Sequence, residues 1–261
     1  MIKIDSWFIV FGLLNLLLFF LGVLYLFPKG TLKTPQVNLQ QFTSFYFMYL
    51  LIIVLVVIVH LLEVNLIDPF TTSYVGQNLT SVIQSLEDGI VHGISQYSTP
   101  VLTYFFVFIY IILYPFTLWF TVLYFMLADK QKAMKTFALS FAFIYVIALP
   151  FYLFVPITNV STYYGMTLSL NSVLPGIEQF FYATTTSNNC FPSLHVAMTL
   201  LVAQTVSLTD NKRYKYFAYF CAICVIISVI YLGIHWITDV LGGILLSFGA
   251  FYLVKRFTKE P

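Results

Sequence analysis

The feature that most constrains this chain is a series of apolar stretches, each about as long as a lipid bilayer is thick. A helix crosses the hydrocarbon with roughly 20 mostly apolar residues. Of the 261 residues, 60% are hydrophobic and 8% are charged, a balance that water-soluble globular domains do not reach. The pattern therefore predicts an all-α fold, a polytopic transmembrane helical bundle of about seven spans. The candidate spans are Trp7 to Phe27, Phe45 to Ile67, Pro100 to Leu127, Phe137 to Val155, Phe191 to Leu208, Tyr216 to Gly233 and Trp236 to Leu253.

Basic residues lie in alternate connections, after the first, third, fifth and seventh spans. Because loops rich in Lys and Arg stay in the cytoplasm, we expect the amino terminus outside and the carboxyl terminus inside. The intervening segments, residues 68–99 and 156–190, contain no Lys or Arg. The basic residues concerned are Lys29, Lys33, Lys130, Lys132, Lys135, Lys212, Arg213, Lys215, Lys255, Arg256 and Lys259.

No polar stretch is long enough to suggest a separate soluble domain. A self-sufficient core generally needs more than roughly 35 residues, so we expect residues 1–261 to form one integral membrane domain. The longest outer segment, residues 68–99, begins with a turn-like Asp68-Pro69 and continues with apolar residues at helical spacing. This spacing predicts an amphipathic helix on the outer leaflet, or a lid over an active-site mouth. The expected partners are membrane lipids, with no nucleic acid and no protein partner.

Ionisable residues in or beside the spans are few. A charged side chain near the bilayer centre costs about 2.5 to 3.5 kcal/mol, so those that are present are candidates for function. They are His60, Glu63, His92, Glu178, His195, His235 and Asp239.

His235 and Asp239 are four residues apart at the start of the last span. This spacing puts them one turn apart on one helix face, where the carboxylate can hold an imidazole nitrogen. A histidine held in this way keeps one tautomer and presents its free nitrogen to an electrophile. The pair is therefore interpreted as a nucleophile and the group that orients it, with a helix-capping pair at the membrane surface as the alternative.

A second constellation lies between Cys190 and His195. Pro192 is expected at a helix start, where the following backbone N–H groups lack helical acceptors and the helix dipole favours an anion. Ser193 adds a hydroxyl, Leu194 a backbone donor, and His195 can protonate a leaving oxygen as a general acid. We therefore predict a phosphate-binding turn.

Together the two constellations resemble the type 2 phosphatidic acid phosphatase and haloperoxidase superfamily. Residues 192–195 are similar to its Pro-Ser-Gly-His signature, and residues 228–243 are similar to its Ser-Arg, five residues, His, three residues, Asp signature. The resemblance implies a six-helix core, here with one additional span, and a site within residues 190–243. It also implies that His235 forms a phosphohistidine, that Asp239 supports it, and that His195 serves the leaving group.

The sequence departs from the superfamily pattern at the positions of its positively charged side chains. Val229 stands where phosphatases of the superfamily have Arg, and no counterpart of their Lys- and Arg-containing first motif occurs near Pro156. Backbone donors and Asn159 are candidates to hold a single negative charge instead. The pattern is closest to the inositol phosphorylceramide synthase and sphingomyelin synthase branch, which has a similar His-Tyr-Thr-x-Asp-Val motif. This resemblance implies transfer of a phosphodiester headgroup at the extracytoplasmic face.

Several alternatives stay open. The first is a lipid phosphatase acting on phosphatidic acid or an isoprenyl phosphate, in which water resolves the intermediate. The others are a transporter that uses His60 and Glu63, and an inactive relative. A retinal protein is excluded, because its Schiff-base lysine has no counterpart in the last span. We expect no cofactor and no metal; a required divalent ion would instead recruit outer acids as ligands. Those acids are Glu63, Asp68, Glu87, Asp88 and Glu178.

Overall fold

The structure, a computed structural model, describes residues 6–29, 40 and 42–258, apart from the side chains of residues 6–8, 178 and 179. The predictions for Lys33, Lys259 and the side chain of Glu178 lie outside this part. The described chain is helical, which confirms the predicted fold class. Its helices are α1 (Ser6–Leu26), α2 (Phe42–Val75), α3 (Thr80–Glu87), α4 (Ile90–Gln96), α5 (Pro100–Leu127), α6 (Gln131–Phe154), α7 (Val160–Tyr163), α8 (Ser169–Val173), α9 (Ile177–Thr184), α10 (Leu194–Val206), α11 (Lys212–Tyr231) and α12 (Ile237–Phe257).

Six of the described helices are long and apolar enough to cross a membrane: α1, α2, α5, α6, α11 and α12. The predicted span from Phe191 to Leu208 is instead the 13-residue helix α10. At 1.5 Å per residue α10 is about 20 Å long, which is shorter than the hydrocarbon core. Every residue from Val196 to Val206 is buried, because α10 packs against α5, α6, α11 and α12. The chain is thus a helical integral membrane protein with α10 inside the bundle, while its orientation stays a prediction.

The outer segment differs from its prediction in two ways. Asp68-Pro69 is no turn, because α2 continues through it to Val75. A π-helical turn, Glu63–Ile67, comes directly before Asp68-Pro69. Because Pro69 has no backbone N–H to donate, this wider turn allows the helix to continue without that hydrogen bond. The predicted amphipathic helix is also broken into α3 and α4 by Asp88 and Gly89, whose φ angles are 49° and 72°.

Two glycines of α12 allow the starts of α10 and α12 to meet. A Cβ atom on Gly243 would lie 2.5 Å from the backbone oxygen of Ser193, and one on Gly242 would lie 2.6 Å from the ring of Phe191. Neither position has room for a side chain. These two small residues permit close helix packing, which brings the two predicted constellations together.

Candidate active site

His235 and Asp239 are held by a tight turn between α11 and α12. Gly233 takes a left-handed conformation, and the N–H groups of Ile234 and His235 both donate to the oxygen of Val229, at 3.0 and 3.1 Å. Asp239 is fully buried and His235 nearly so. The His235 Nδ1 atom lies 3.3 Å from Asp239 Oδ2, an oxygen that also accepts the N–H of Trp236 at 2.8 Å. The carboxylate therefore fixes both the imidazole and the start of α12.

His195 completes a row of side chains that the sequence places far apart. Its Nδ1 atom lies 3.4 Å from Nε2 of His235, and its Nε2 atom lies 2.9 Å from the hydroxyl of Tyr110. Because a neutral His235 donates from Nδ1 to Asp239, its Nε2 carries the free lone pair and faces His195. The row runs from Asp239 through His235 and His195 to Tyr110.

Sequence reasoning missed Tyr110. It lies in the middle of α5, in a π-helical turn, Ile109–Leu113. The chain has nineteen tyrosines, and apolar residues surround this one in the sequence. No local signal separates it from a tyrosine that only packs, since its contact with His195 joins residues 85 positions apart.

A helix starts close to the predicted position, with a corrected boundary, and phosphate binding there stays a prediction. Helix α10 begins at Leu194 and Ser193 is its N-cap, so Pro192 precedes the helix rather than starting it. Ser193 is fully buried, and its hydroxyl oxygen accepts the N–H of Val196 at 3.4 Å. The oxygen of Pro192 accepts the hydroxyl of Tyr152 at 2.7 Å. Ser193 and Pro192 therefore build the turn, and the N–H groups of Leu194 and His195 are the first-turn donors without an intrahelical acceptor.

The corresponding donors of α12 are already occupied. The carboxylate of Glu87 accepts the N–H groups of Ile237 at 3.0 Å and Thr238 at 2.7 Å. Glu87 comes from the end of α3 and is buried, so it caps a helix that begins 150 residues later. Sequence reasoning named Glu87 only as a possible ion ligand. Of the two helix amino termini, that of α10 therefore keeps backbone N–H groups that can bind an anion, whereas those of α12 are occupied by Glu87.

A cavity of about 490 Å³ opens beside this row. Among the described residues that line it, none is Lys, Arg, Asp or Glu. Aromatic residues of α5, α6 and α9 contribute to its wall. Of the predicted substrate-binding residues, Leu194 and Asn159 contribute to the lining, while Ser193 and Pro192 lie behind it. The lining residues that matter below are His60, Tyr110, Asn159, Asn189, Cys190, Leu194, His195 and His235.

Asn159 and Val229 have structural roles that constrain the predictions made for them. The side-chain oxygen of Asn159 accepts the N–H of Thr162 at 2.8 Å and caps α7, so this oxygen is already engaged. Val229 is fully buried, and its carbonyl holds the turn that carries His235. The position where the superfamily signature discussed above has Arg is thus part of the packed core.

Cys190 lies beside His235 and Asp239. Its sulfur and the ligand atoms of His235 and Asp239 lie within 4.8 Å of one another, a donor set that suits a transition metal. Burial raises the pKa of the Cys190 thiol well above its usual value, and the charge of Asp239 adds to this effect. The raised pKa disfavours the thiolate form, which is the nucleophilic form of a cysteine.

Three of the outer acids suggested as ligands for a divalent ion, Glu63, Asp68 and Glu87, have protein partners. Glu63 contacts His60 and Asn189. Asp68 accepts hydrogen bonds from Thr72 and Asn188. Asp88 is exposed, and Glu87 is committed to the start of α12.

The region of this chain that matches a known protein family contains the candidate active site. The profile of the PAP2 superfamily matches residues 88–253, which is more than half of the chain. An uncharacterized protein of Methanocaldococcus jannaschii is 34% identical over 80 residues, covering 31% of each chain. Phosphatidylglycerophosphatase B of Bacillus subtilis is 38% identical over 84 residues, covering 28% of this chain and 41% of that enzyme. Each match spans less than half of the relative, and no solved structure gives a significant match.

Proposed function

The chain belongs to the PAP2 superfamily, and we propose on this basis that it is a membrane enzyme, a lipid phosphatase or lipid phosphotransferase. The observation that carries the proposal is the row of Asp239, His235 and His195 beside a largely apolar cavity. A buried carboxylate that orients one histidine towards a second is the arrangement that nucleophilic and general-acid catalysis require.

In the proposed first step, the Nε2 lone pair of His235 attacks the phosphorus atom of the lipid. An N–P bond forms, the P–O bond to the leaving group breaks, and His195 gives its proton to the leaving oxygen. In the second step, an acceptor hydroxyl gives its proton to His195 and attacks phosphorus, which breaks the N–P bond and restores His235. Asp239 stabilises the positive charge that develops on His235. The free N–H groups at the start of α10 are oriented to hold the phosphate oxygens.

More narrowly, we propose that the substrate is a phosphodiester and that a lipid hydroxyl accepts its headgroup, as in the inositol phosphorylceramide and sphingomyelin synthase branch. A diester carries about one negative charge, whereas a monoester carries about 1.5 to 2 at pH 7. A cavity whose described lining residues include no Lys or Arg suits the smaller charge. The basic residues of the alternate loops support a site on the extracytoplasmic side.

A second candidate, hydrolysis of a lipid phosphate monoester, is supported by the similarity to phosphatidylglycerophosphatase B. The two candidates differ in the group that resolves the phosphohistidine. Water gives free phosphate, whereas a lipid hydroxyl gives a new phosphodiester.

The test incubates purified protein in detergent micelles with phosphatidylglycerol or phosphatidic acid, each labelled at phosphorus, with and without a lipid bearing a free hydroxyl. We expect a new labelled diester lipid, formed from phosphatidylglycerol only when the acceptor is present. A kcat/KM for phosphatidic acid above that for every diester tried would contradict headgroup transfer and support the phosphatase. No product from any phospholipid would contradict both candidates.

A further inference from the structure

A second pair of histidine and carboxylate lies beside the same cavity, on a different helix. His60 lines the cavity, and its Nδ1 atom lies 3.5 Å from Oε2 of Glu63, three residues later in α2. The His60 side chain is 29% exposed, whereas that of Glu63 is completely buried. The carboxylate thus lies behind the imidazole as seen from the cavity.

Donors from two other parts of the chain hold Glu63 in place. The side-chain amide of Asn189 donates to Oε1 at 2.7 Å, and the hydroxyl of Tyr145 lies 3.5 Å from Oε2. The π-helical turn of α2 begins at Glu63, and such turns are frequent at functional sites. A buried carboxylate inside a membrane helix is energetically costly unless other polar groups pair with it. The paired group that faces the cavity is His60.

Both ring nitrogens of His60 face acceptors. Nδ1 faces the Glu63 carboxylate, and Nε2 lies 3.1 Å from the backbone oxygen of Thr184. A neutral imidazole has one N–H donor and one lone pair, so either tautomer would turn a lone pair towards an acceptor oxygen. In the imidazolium form, Nε2 would donate to the Thr184 oxygen and the ring would lie at ion-pair distance from the Glu63 carboxylate.

The cavity has few other sources of positive charge. Among the described residues of its lining none is Lys or Arg, and the other basic side chains among them are His195 and His235. In the proposed reaction His235 has to be neutral to attack phosphorus, and His195 gives its proton away. His60 takes no part in either of these proposed steps.

We propose that His60, with Glu63 behind it, is a substrate-binding residue that attracts the negatively charged phosphate ester of the lipid. It supplies the positive charge that arginines supply in other members of the superfamily. The attraction is coulombic, and a largely apolar wall strengthens it relative to water. This inference rests on the proposed function and deepens it, since one cation suits a singly charged diester.

The first experiment measures binding without turnover. In a His235→Ala background, fluorescence titration gives the Kd for phosphatidylglycerol and for uncharged diacylglycerol in neutral detergent micelles. Adding His60→Gln should weaken phosphatidylglycerol binding about tenfold and leave diacylglycerol binding unchanged, whereas His60→Lys should restore most of the lost affinity. His92→Gln is the matched control, because His92 stacks on Tyr164 outside the cavity lining. Thermal unfolding of each variant separates loss of charge from loss of fold.

The second experiment measures turnover in the otherwise native protein. His60→Gln should raise KM for the labelled phospholipid about tenfold and change kcat less than twofold. Unchanged Kd and KM in His60→Gln, or equal losses in the Gln and Lys variants, would overturn the inference. If His235→Ala is inactive while His60→Gln behaves like the native protein, the inference fails and the proposed reaction stands. If His235→Ala keeps full activity, the proposed reaction itself fails, and the binding experiment still decides the role of His60.

Discussion

The Nε2 atom of His235 lies 3.4 Å from Nδ1 of His195, although 40 residues separate them. The contact depends on the close approach of α10 and α12, and Asp239 and Tyr110 bind the outer nitrogens of the two rings. A phosphate ester bound in the cavity beside this contact would therefore have a candidate nucleophile and a candidate proton donor close to each other.

Tyr110 should act on the reaction through His195. Tyr110→Phe removes the hydroxyl at 2.9 Å from Nε2 and leaves the aromatic ring, so we expect kcat to fall about three- to tenfold with KM nearly unchanged, since one hydrogen bond contributes about 1 kcal/mol. The pH profile of kcat should shift, because the protonated and neutral forms of His195 are then stabilised differently. Tyr114→Phe is the control, since that ring packs against the same imidazole at 5.0 Å. Equal effects of both substitutions would assign Tyr110 a packing role only.

Glu87 should be needed to hold the start of α12. Glu87→Ala leaves two backbone N–H groups without their acceptor, and the loss of such a cap costs about 0.5 to 2 kcal/mol. We expect a lower unfolding temperature together with a lower kcat, because Asp239 lies in the same first turn. Glu87→Gln keeps one acceptor oxygen and should recover part of both. The matched control is Asp88→Asn, which removes a charge from the next, exposed residue; a loss equal to that in Glu87→Ala would refute a specific capping role.

Gly243 should tolerate no side chain. The Cβ atom in Gly243→Ala would lie 2.5 Å from the Ser193 oxygen, so the starts of α10 and α12 must separate, with an expected destabilisation of about 1 to 3 kcal/mol. Because the same shift separates His195 from His235, activity should fall at temperatures where the protein is still folded. Gly249→Ala in the same helix meets no atom within 4 Å and should be neutral or slightly stabilising. Activity and thermal unfolding measured on both variants check this, and a stable, fully active Gly243→Ala would contradict the packing account.

Local patterns in the sequence predicted part of the site. The four-residue spacing of His235 and Asp239 and the helix start that follows Cys190 depend on neighbours along the chain. The spacing occurs in the structure as predicted, and the helix starts two residues later than predicted. Residues such as Tyr110 and Glu87 act on elements 85 and 150 positions away. Spacing alone carries no information about such contacts, and one protein sequence offers no other signal for them.

The fold was predictable in its class and less so in its boundaries. Helix α10 is apolar on every side, and this pattern is the same for a membrane span and for a helix buried in protein. Asp68-Pro69 reads as a turn because proline commonly ends helices, and the π-helical turn that lets α2 continue leaves no sequence signal of its own.

The central claim is that His235 becomes phosphorylated during turnover. Rapid acid-free quenching with a lipid labelled at phosphorus, followed by gel separation, should show label on the protein that is stable in alkali and lost in acid. The label should disappear in His235→Ala and persist, with slower formation, in His195→Ala. Label that survives His235→Ala and disappears in His195→Ala would contradict the account and exchange the roles of the two histidines.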